Sequence, residues 1–442
     1  MKKLLIVCET YYPDSRATIR ITQRIAEELC KKGIEIYAVP LKRFAADKKY
    51  PKEHSGVLIL STEDYADSLQ KNVRLNSIKK IKDMVLKLLY AEKHFMMKEP
   101  ENAPLAEKWN RLIQKLRDYQ RTCWYTPVLE YAQNAENALL ISQILREKQI
   151  DSILSVSLPF WLHTVSQKVV KLNSEKNIKW VPVCFDPYGY DQTINRKIQS
   201  IRIKEEHKVF KDAQKVLMLS QSREDYQDND LLDRIYFFNI PNVRKIESQY
   251  APTHVQFDKR HINCVFTGNL YWAIRNPQSM FELFSQFADE RIKLHVIGSL
   301  SFGFPENYIA EWSSKLGDRL TFHERVSAEE SISIMNAADV LINIGNTTTN
   351  QCPSKVLEYI SIGKPILSIS KIPNCTSEQY LKKYPLALCV SEADLKKSDV
   401  VQKVQEFIMD NYMREVNFFD IEKIYSDCTT KKAVDTVLDA FC

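Results

Sequence analysis

Glycine is rare in this sequence, nine in 442 residues, where about 7% is usual. A loop that must press its backbone against a phosphate therefore has few places to form. The ten cysteines include no CxxC pair, and Cys8, Cys30, Cys184 and Cys264 fall inside expected strands or helices. That spacing excludes the usual zinc and redox motifs and fits buried free thiols in a reducing cytoplasm. No apolar run approaches the ~18 residues needed to span a bilayer. Met1-Lys2-Lys3 before Leu4-Leu5-Ile6-Val7 has the outline of a signal peptide, but the run ends before Glu9 and reads as a buried first strand. A formal charge of +6 is too mild to point to nucleic acid.

What is present is the composition of a soluble globular protein, 44% hydrophobic and 27% charged, long enough for two or three domains with their own cores. Short runs rich in β-branched or aromatic residues recur at Lys3–Val7, Ile34–Val39, Ile153–Val156, Trp180–Phe185, Val216–Leu219 and Tyr236–Ile240. Amphipathic stretches such as Ile19–Lys32 and Leu129–Lys148 separate them. This alternation predicts parallel strands with crossover helices, an α/β doubly wound sheet. The pattern restarts at Asn263–Thr267, Lys293–Ile297, Leu320–His323, Val340–Ile344, Pro365–Ile369 and Leu386–Val390. Pro241-Asn242-Val243 and a polar stretch to about Arg260 divide the two series. The expected domains are 1–245 and 246–424, with a C-terminal helix over 425–442 packing back on the first. Two such sheets can clamp a ligand between the carboxyl ends of their strands.

Residues from about 43 to 121 break the alternation and read as a helical insert. Ile78, Ile81, Val85, Leu88 and Leu89 share one helical face there, with Lys79, Lys80, Lys82 and Lys87 off it. Two readings are open: a helix packed on its own domain, or a basic amphipathic helix resting on an anionic membrane.

The most informative stretch is Asn350-Gln-Cys-Pro-Ser-Lys-Val-Leu-Glu358-Tyr-Ile-Ser-Ile-Gly-Lys-Pro-Ile366, after a strand and a loop rich in Asn and Thr. Pro353 suits a first helical turn, with Ser354 and Lys355 at its amino end. Free backbone N–H groups beside a lysine suit a pyrophosphate. Glu358, one turn further in, can accept bonds from ribose hydroxyls. Gly363 and Pro365 end the helix. The competing reading is an ordinary helix with a tidy stop.

This run resembles the donor-binding signature of GT-B glycosyltransferases, in particular the GT4-like retaining enzymes of the glycosyltransferase family 1 group. That signature places two glutamates around seven residues, ahead of a helix and a Gly-Lys-Pro turn. Glu358 matches the second glutamate, which in the family holds the nucleotide ribose. Asn350 stands where the first contacts the donor sugar, and an amide supplies no negative charge there. Val265-Phe-Thr-Gly-Asn269-Leu and then Arg275 resemble the opening of the family's second domain. Arg275 is the available cation for the donor phosphates; a surface charge is the competing reading. Leu320-Thr-Phe-His323 and Ala337-Ala-Asp339-Val resemble its later strands, with His323 packed or structural.

In the first domain, Thr10-Tyr-Tyr-Pro13-Asp14 through Gly33 looks like the family's first strand, acceptor loop and helix. Ser15-Arg16-Ala17 replaces the usual glycine pair, so Arg16 and Arg20 are expected to bind the acceptor side. Asp186 of Phe185-Asp186-Pro187-Tyr188 matches an Asp-Pro-aromatic run of some polysaccharide-synthesis members. It can take a proton from the acceptor hydroxyl or simply make a turn. His163 is a candidate base or a helix-face residue near the cleft.

The resemblance implies two Rossmann-like domains facing across a cleft and a nucleotide diphosphate sugar as donor substrate, with no cofactor. No Asp-x-Asp pair stands at a suitable strand end, and the family generally binds its diphosphate without metal. It also implies a saccharide or lipid-linked acceptor, as in surface-polysaccharide assembly, and a cytoplasmic protein at the inner membrane face with peripheral membrane contact and no nucleic acid. Two alternatives stay open: a non-hydrolysing nucleotide-sugar epimerase, which shares the two-domain architecture, and a catalytically silent sugar-nucleotide-binding subunit, to which Asn350 and the missing glycines point.

Overall fold

The computed structural model describes residues 1–13, 16–41, 50–61, 127–157, 159–227, 229–246, 253–301 and 303–442, with side chains from residue 134 onward in the helix that begins at 127. The amphipathic pattern around Ile78–Leu89 and the loop residues Asp14 and Ser15 lie outside them.

The first domain runs β1 (Lys3–Cys8), α1 (Ala17–Lys31), β2 (Glu35–Pro40), β3 (Glu53–His54), β4 (Val57–Ile59), α2 (Pro127–Lys148), β5 (Ser152–Val156), α3 (Trp161–Leu172), β6 (Lys179–Cys184), α4 (Arg196–Phe210), β7 (Val216–Leu219) and β8 (Ile235–Phe238). Its sheet has the order β3-β4-β2-β1-β5-β6-β7-β8. Every pairing is parallel except β3 with β4. In β1, Leu4 and Ile6 enter one core and Leu5 and Val7 another. A strand buried on both faces has no polar alternation, so it reads as a continuous apolar run.

Residues 50–61 correct the expected insert, for they belong to the sheet rather than to a helical segment. His54 pairs with Val57 across a two-residue turn in which Ser55 has φ 51° and Gly56 φ 81°. Two successive positive φ angles make the tight turn that matches strand twist. Ser-Gly ahead of Val57-Leu58-Ile59 was the readable signal.

The second domain runs β9 (Ile262–Thr267), α5 (Gln278–Ser285), β10 (Ile292–Ile297), α6 (Tyr308–Leu316), β11 (Leu320–His323), α7 (Ala328–Ala337), β12 (Val340–Ile344), α8 (Lys355–Ile362), β13 (Ile366–Ser370), α9 (Thr376–Leu381), β14 (Ala387–Ser391) and α10 (Ser398–Asn411). Its strand order is β11-β10-β9-β12-β13-β14, and all pairs are parallel. The order reverses between β9 and β12, which opens a crevice at their carboxyl ends. Helix α8 stops at Gly363, whose φ is +89°, and a Cβ there would lie 2.5 Å from Val416 O. Only glycine tolerates both conditions.

The chain then returns through α11 (Phe418–Ile424) to α12 (Thr430–Phe441). Ala433, Val434, Val437 and Phe441 join the core that holds Ile25, Leu29 and Val181 of the first domain. Lys179 Nζ donates to Phe441 O at 2.7 Å, and Val243 bridges Thr429. One continuous core thus runs through both domains on the side of the linker, and the strand ends face each other on the other side.

Candidate active site

The loop from β12 to α8 lies at the point where the second sheet reverses. Asn346 Oδ1 accepts from Arg275 Nε at 3.1 Å and Nη2 at 2.8 Å. Asn346 Nδ2 donates to Gln351 O at 3.2 Å, and Thr347 N reaches Ile274 O at 3.1 Å. Arg275 is therefore no loose surface charge. It is half-buried, and burial lowers its pKa; its remaining N–H donors are fixed beside the loop.

At the amino end of α8, Lys355 Nζ lies 2.8 Å from Glu358 Oε2 and donates to Ser331 Oγ at 3.1 Å. Arg20 Nη2, arriving from α1 in the other domain, lies 3.0 Å from Glu358 Oε1. The Glu358 side chain is only 8% exposed. Burial alone would raise its pKa, but Lys355, Arg20 and Arg244 together hold it at about 2. Each carboxylate oxygen has given up one acceptor position and keeps another, so the group can still receive hydroxyls while remaining ionised.

Ser354 makes no capping bond with its side chain. Its carbonyl accepts from Asn242 Nδ2 at 3.0 Å, and Asn242 Oδ1 accepts from Arg24 Nη2 at 2.7 Å. Helix α1, the linker and the start of α8 form one hydrogen-bonded chain. Burial first, then Arg244 and Arg20, lower the Arg24 pKa to about 10.

Asn350 also spans the domains. Its Nδ2 donates to Tyr190 O and to Asp225 Oδ2, both at 2.8 Å. Next to it, Thr349 N donates to Gln192 Oε1 at 2.9 Å and Gln192 Nε2 returns a bond to Thr349 Oγ1 at 2.8 Å.

The first-domain candidates divide. Asp186 stands just past β6, and among the described residues its carboxylate has no hydrogen-bond or ion-pair partner. Burial and then Asp191 push it up to about 6, within reach of proton transfer near neutral pH. Arg16 stands just before α1 without a capping bond from its side chain, which bonds Glu9 and Thr10 instead, each at 2.6 Å. Arg20 requires a correction: it points across to Glu358 of the second domain, because one turn of α1 carries it past the loop after β1.

His163 requires another. It is fully buried among Phe160 and Phe210, packed beneath the ends of β5 and β6 with no exposure to the cleft. Trp180 Nε1 donates to Ser155 Oγ at 2.8 Å, and Ser155 Oγ lies 2.7 Å from His163 Nδ1. The other ring nitrogen, Nε2, faces Cys184 Sγ at 3.7 Å, so both nitrogens are taken up by core partners. Burial lowers the ring pKa to about 3. His163 is a neutral core residue.

Sequence reasoning missed Tyr190, Gln192 and Asp225. Asp225 lies in the polar run Ser220–Tyr226 directly after β7, a strand carboxyl end, and that position was its one signal. Burial raises the Asp225 pKa while its bond to Asn350 opposes the rise. Behind these residues, the buried Glu206 receives Gly189 N at 3.0 Å and the Tyr226 hydroxyl, so α4 fixes both cleft loops. Burial lifts Glu206 to about 7 against those two bonds.

The profile of the family Glycosyl transferases group 1 matches residues 261–408. No curated protein sequence matches. Among solved structures, the chain is similar to apo lipopolysaccharide outer core galactosyltransferase WaaB, with a TM-score of 0.56 at 13% identity over 99% of this chain and 98% of that one. It is similar to HepE of Anabaena in complex with UDP and glucose, with a TM-score of 0.56 at 10% identity over 99% of both chains. Trehalose-6-phosphate synthase OtsA gives a TM-score of 0.62 at 10% identity over 99% of this chain and 98% of that one. These likenesses establish a shared two-domain fold. No described helix is long and apolar enough to cross a membrane.

Proposed function

We propose, from the premise that this chain is a GT-B glycosyltransferase carrying a group 1 domain, that it moves a sugar from a nucleoside diphosphate sugar to a saccharide hydroxyl with retention of configuration. The observation that carries this reading is the Lys355–Glu358–Arg20 constellation at the start of α8, with Arg275 fixed to the loop that leads into that helix. Glu358, held ionised, accepts the ribose hydroxyls. Lys355 and Arg275 offset charge on the departing diphosphate, a stabilisation that is strongest in a water-poor site. With two cations placed for that charge, the reading needs no metal. Asp186 takes the acceptor proton. Contact between the domains along the buried Asn350 and Asn242 keeps out water, a competing acceptor. Retention is also the outcome studied for the trehalose-6-phosphate synthase neighbour.

The acceptor we propose is a lipid-linked saccharide at an anionic membrane surface. Lys197, Lys204, Lys208 and Lys211 form one exposed stripe of α4 and its end, and Ile201 in the same stripe is 58% exposed. Glu205 and Glu206 of that helix are turned away to Tyr188 and Tyr226. Cosedimentation with phosphatidylglycerol vesicles, lost when three of these lysines become glutamate, tests this part.

The decisive experiment screens UDP, GDP, ADP, CMP and their sugar conjugates by thermal shift and then follows sugar transfer by mass spectrometry. A ligand at a hundred times its Kd adds roughly 2.7 kcal/mol, and Lys355→Ala and Arg275→Ala are expected to abolish the shift. An altered sugar nucleotide formed without acceptor would identify an epimerase instead. Binding with no turnover in the presence of acceptors would identify a silent subunit.

A further inference from the structure

The Asn350 amide is held in one orientation by the first domain. Both atoms that receive its nitrogen, Tyr190 O and Asp225 Oδ2, are acceptors. Turning the amide over would set its oxygen against two acceptors, so the orientation shown is the one the chemistry allows. The consequence falls on Oδ1, which is buried and has no hydrogen-bond partner among the described residues. A buried acceptor without a donor is costly, and native structures rarely keep one without a purpose.

We propose that Asp225 is a positioning residue for the donor's sugar, binding the Asn350 nitrogen across the cleft so that the amide oxygen is kept for a sugar hydroxyl. The inference rests on the donor-site reading above and adds a specificity element from the opposite domain. Asp225 is itself held in place. The adjacent Tyr226 hydroxyl bonds the buried Glu206, and the Tyr226 ring packs edge-on against Tyr190 with centroids 4.7 Å apart. Asn229 Nδ2 holds the Tyr190 hydroxyl at 3.0 Å. Both acceptors facing Asn350 thus stand on one braced unit of the first domain, and Asn350 stands on the loop that leads into α8 and Lys355. The sugar end of the donor site is complete only when the domains meet.

A carboxylate at position 350 could not make this contact. It would face the Asp225 carboxylate and the Tyr190 carbonyl with no proton to give. Asparagine at this place follows from its partners.

The test uses the full chain and whichever pair of probes binds it, UDP with UDP-glucose, GDP with GDP-mannose or ADP with ADP-glucose, measured by calorimetry. Asp225→Ala is expected to leave the affinity for the diphosphate within about twofold and to weaken the sugar conjugate about tenfold or more. This follows because, without the Asp225 acceptor, the amide is free to turn its oxygen away from the sugar hydroxyl. Asp225→Asn can turn its own amide oxygen to Asn350 and is expected to stay within about threefold of the parent. Equal loss in the Ala and Asn variants would show that charge rather than positioning matters and would overturn the proposal, as would an unchanged sugar conjugate affinity in Asp225→Ala. Should Asp225→Ala not fold, Asn350→Asp provides a second route. It is expected to weaken the conjugate, and adding Asp225→Asn to it is expected to recover part of the loss; no recovery overturns the proposal. A parent chain that binds none of the diphosphates would refute the donor-site reading itself, a result distinct from losing only the sugar's contribution.

Discussion

Glu358→Gln is the substitution with the most to say, because stability and ligand binding should both respond to it. The folded carboxyl has a pKa of about 2 against an ordinary 4.5. At 1.36 kcal/mol per pKa unit, the ionised form contributes on the order of 3 kcal/mol. The folded pKa is depressed, so this contribution is fully present above about pH 4.5 and disappears as pH falls through about 2. Glutamine removes it and leaves Arg20 and Lys355, 18% and 25% exposed, without their counter-charge. Unfolding by urea at pH 7 should show the variant about 3 kcal/mol weaker, with a gap that narrows steadily as both proteins are taken toward pH 3. Binding supplies an independent readout. Losing one charged hydrogen bond to a ribose hydroxyl costs roughly 1.5–3 kcal/mol, so the diphosphate identified by screening should bind roughly 10- to 150-fold more weakly. The parent should also discriminate against the 2′-deoxy nucleotide, and the variant should not. A variant with parental affinity and a stability gap independent of pH would refute both the ion-pair reasoning and the ribose assignment.

Asp186→Asn should lower kcat by about 10²–10⁴ without changing diphosphate affinity. The parent's kcat should rise with pH through about 6, because only the carboxylate accepts a proton, and an unchanged profile in the variant would count against Asp186. His163→Leu should keep kcat within severalfold and cost about 1–3 kcal/mol of stability at pH 7 through the polar groups left unpaired. The folded imidazole titrates near 3 and the unfolded one near 6.5, so the parent loses stability as pH falls through that window; the variant lacks this component. A large loss of kcat in a well-folded variant would return His163 to the chemistry. Gly363→Ala meets both the φ of +89° and a 2.5 Å approach to Val416 O, and should lower Tm by several degrees; no shift would refute the close contact.

Much of the architecture could be read directly from the chain. Val216–Leu219 and Val340–Ile344 have the same limits in sequence and structure, since strands covered on both faces read as continuous buried runs. The start of α8, with Lys355 beside Glu358, was legible because the pair is local and three residues apart. The hairpin at 53–59 was hidden inside a polar stretch, because an edge pair needs few apolar residues. His163 was misread because burial depends on what the neighbouring layers place around a ring, and Phe210 and Cys184 come from other elements.

The sequence by itself determined the doubly wound sheets and the strand-loop-helix that ends in α8, which follow from periodicity and turn chemistry within short windows. The tertiary structure alone decided which groups meet across the cleft. Arg20 reaches Glu358 over 338 positions of chain and Asn350 reaches Asp225 over 125. No local pattern encodes such contacts, because they depend on how two separately folded sheets set their strand ends against each other.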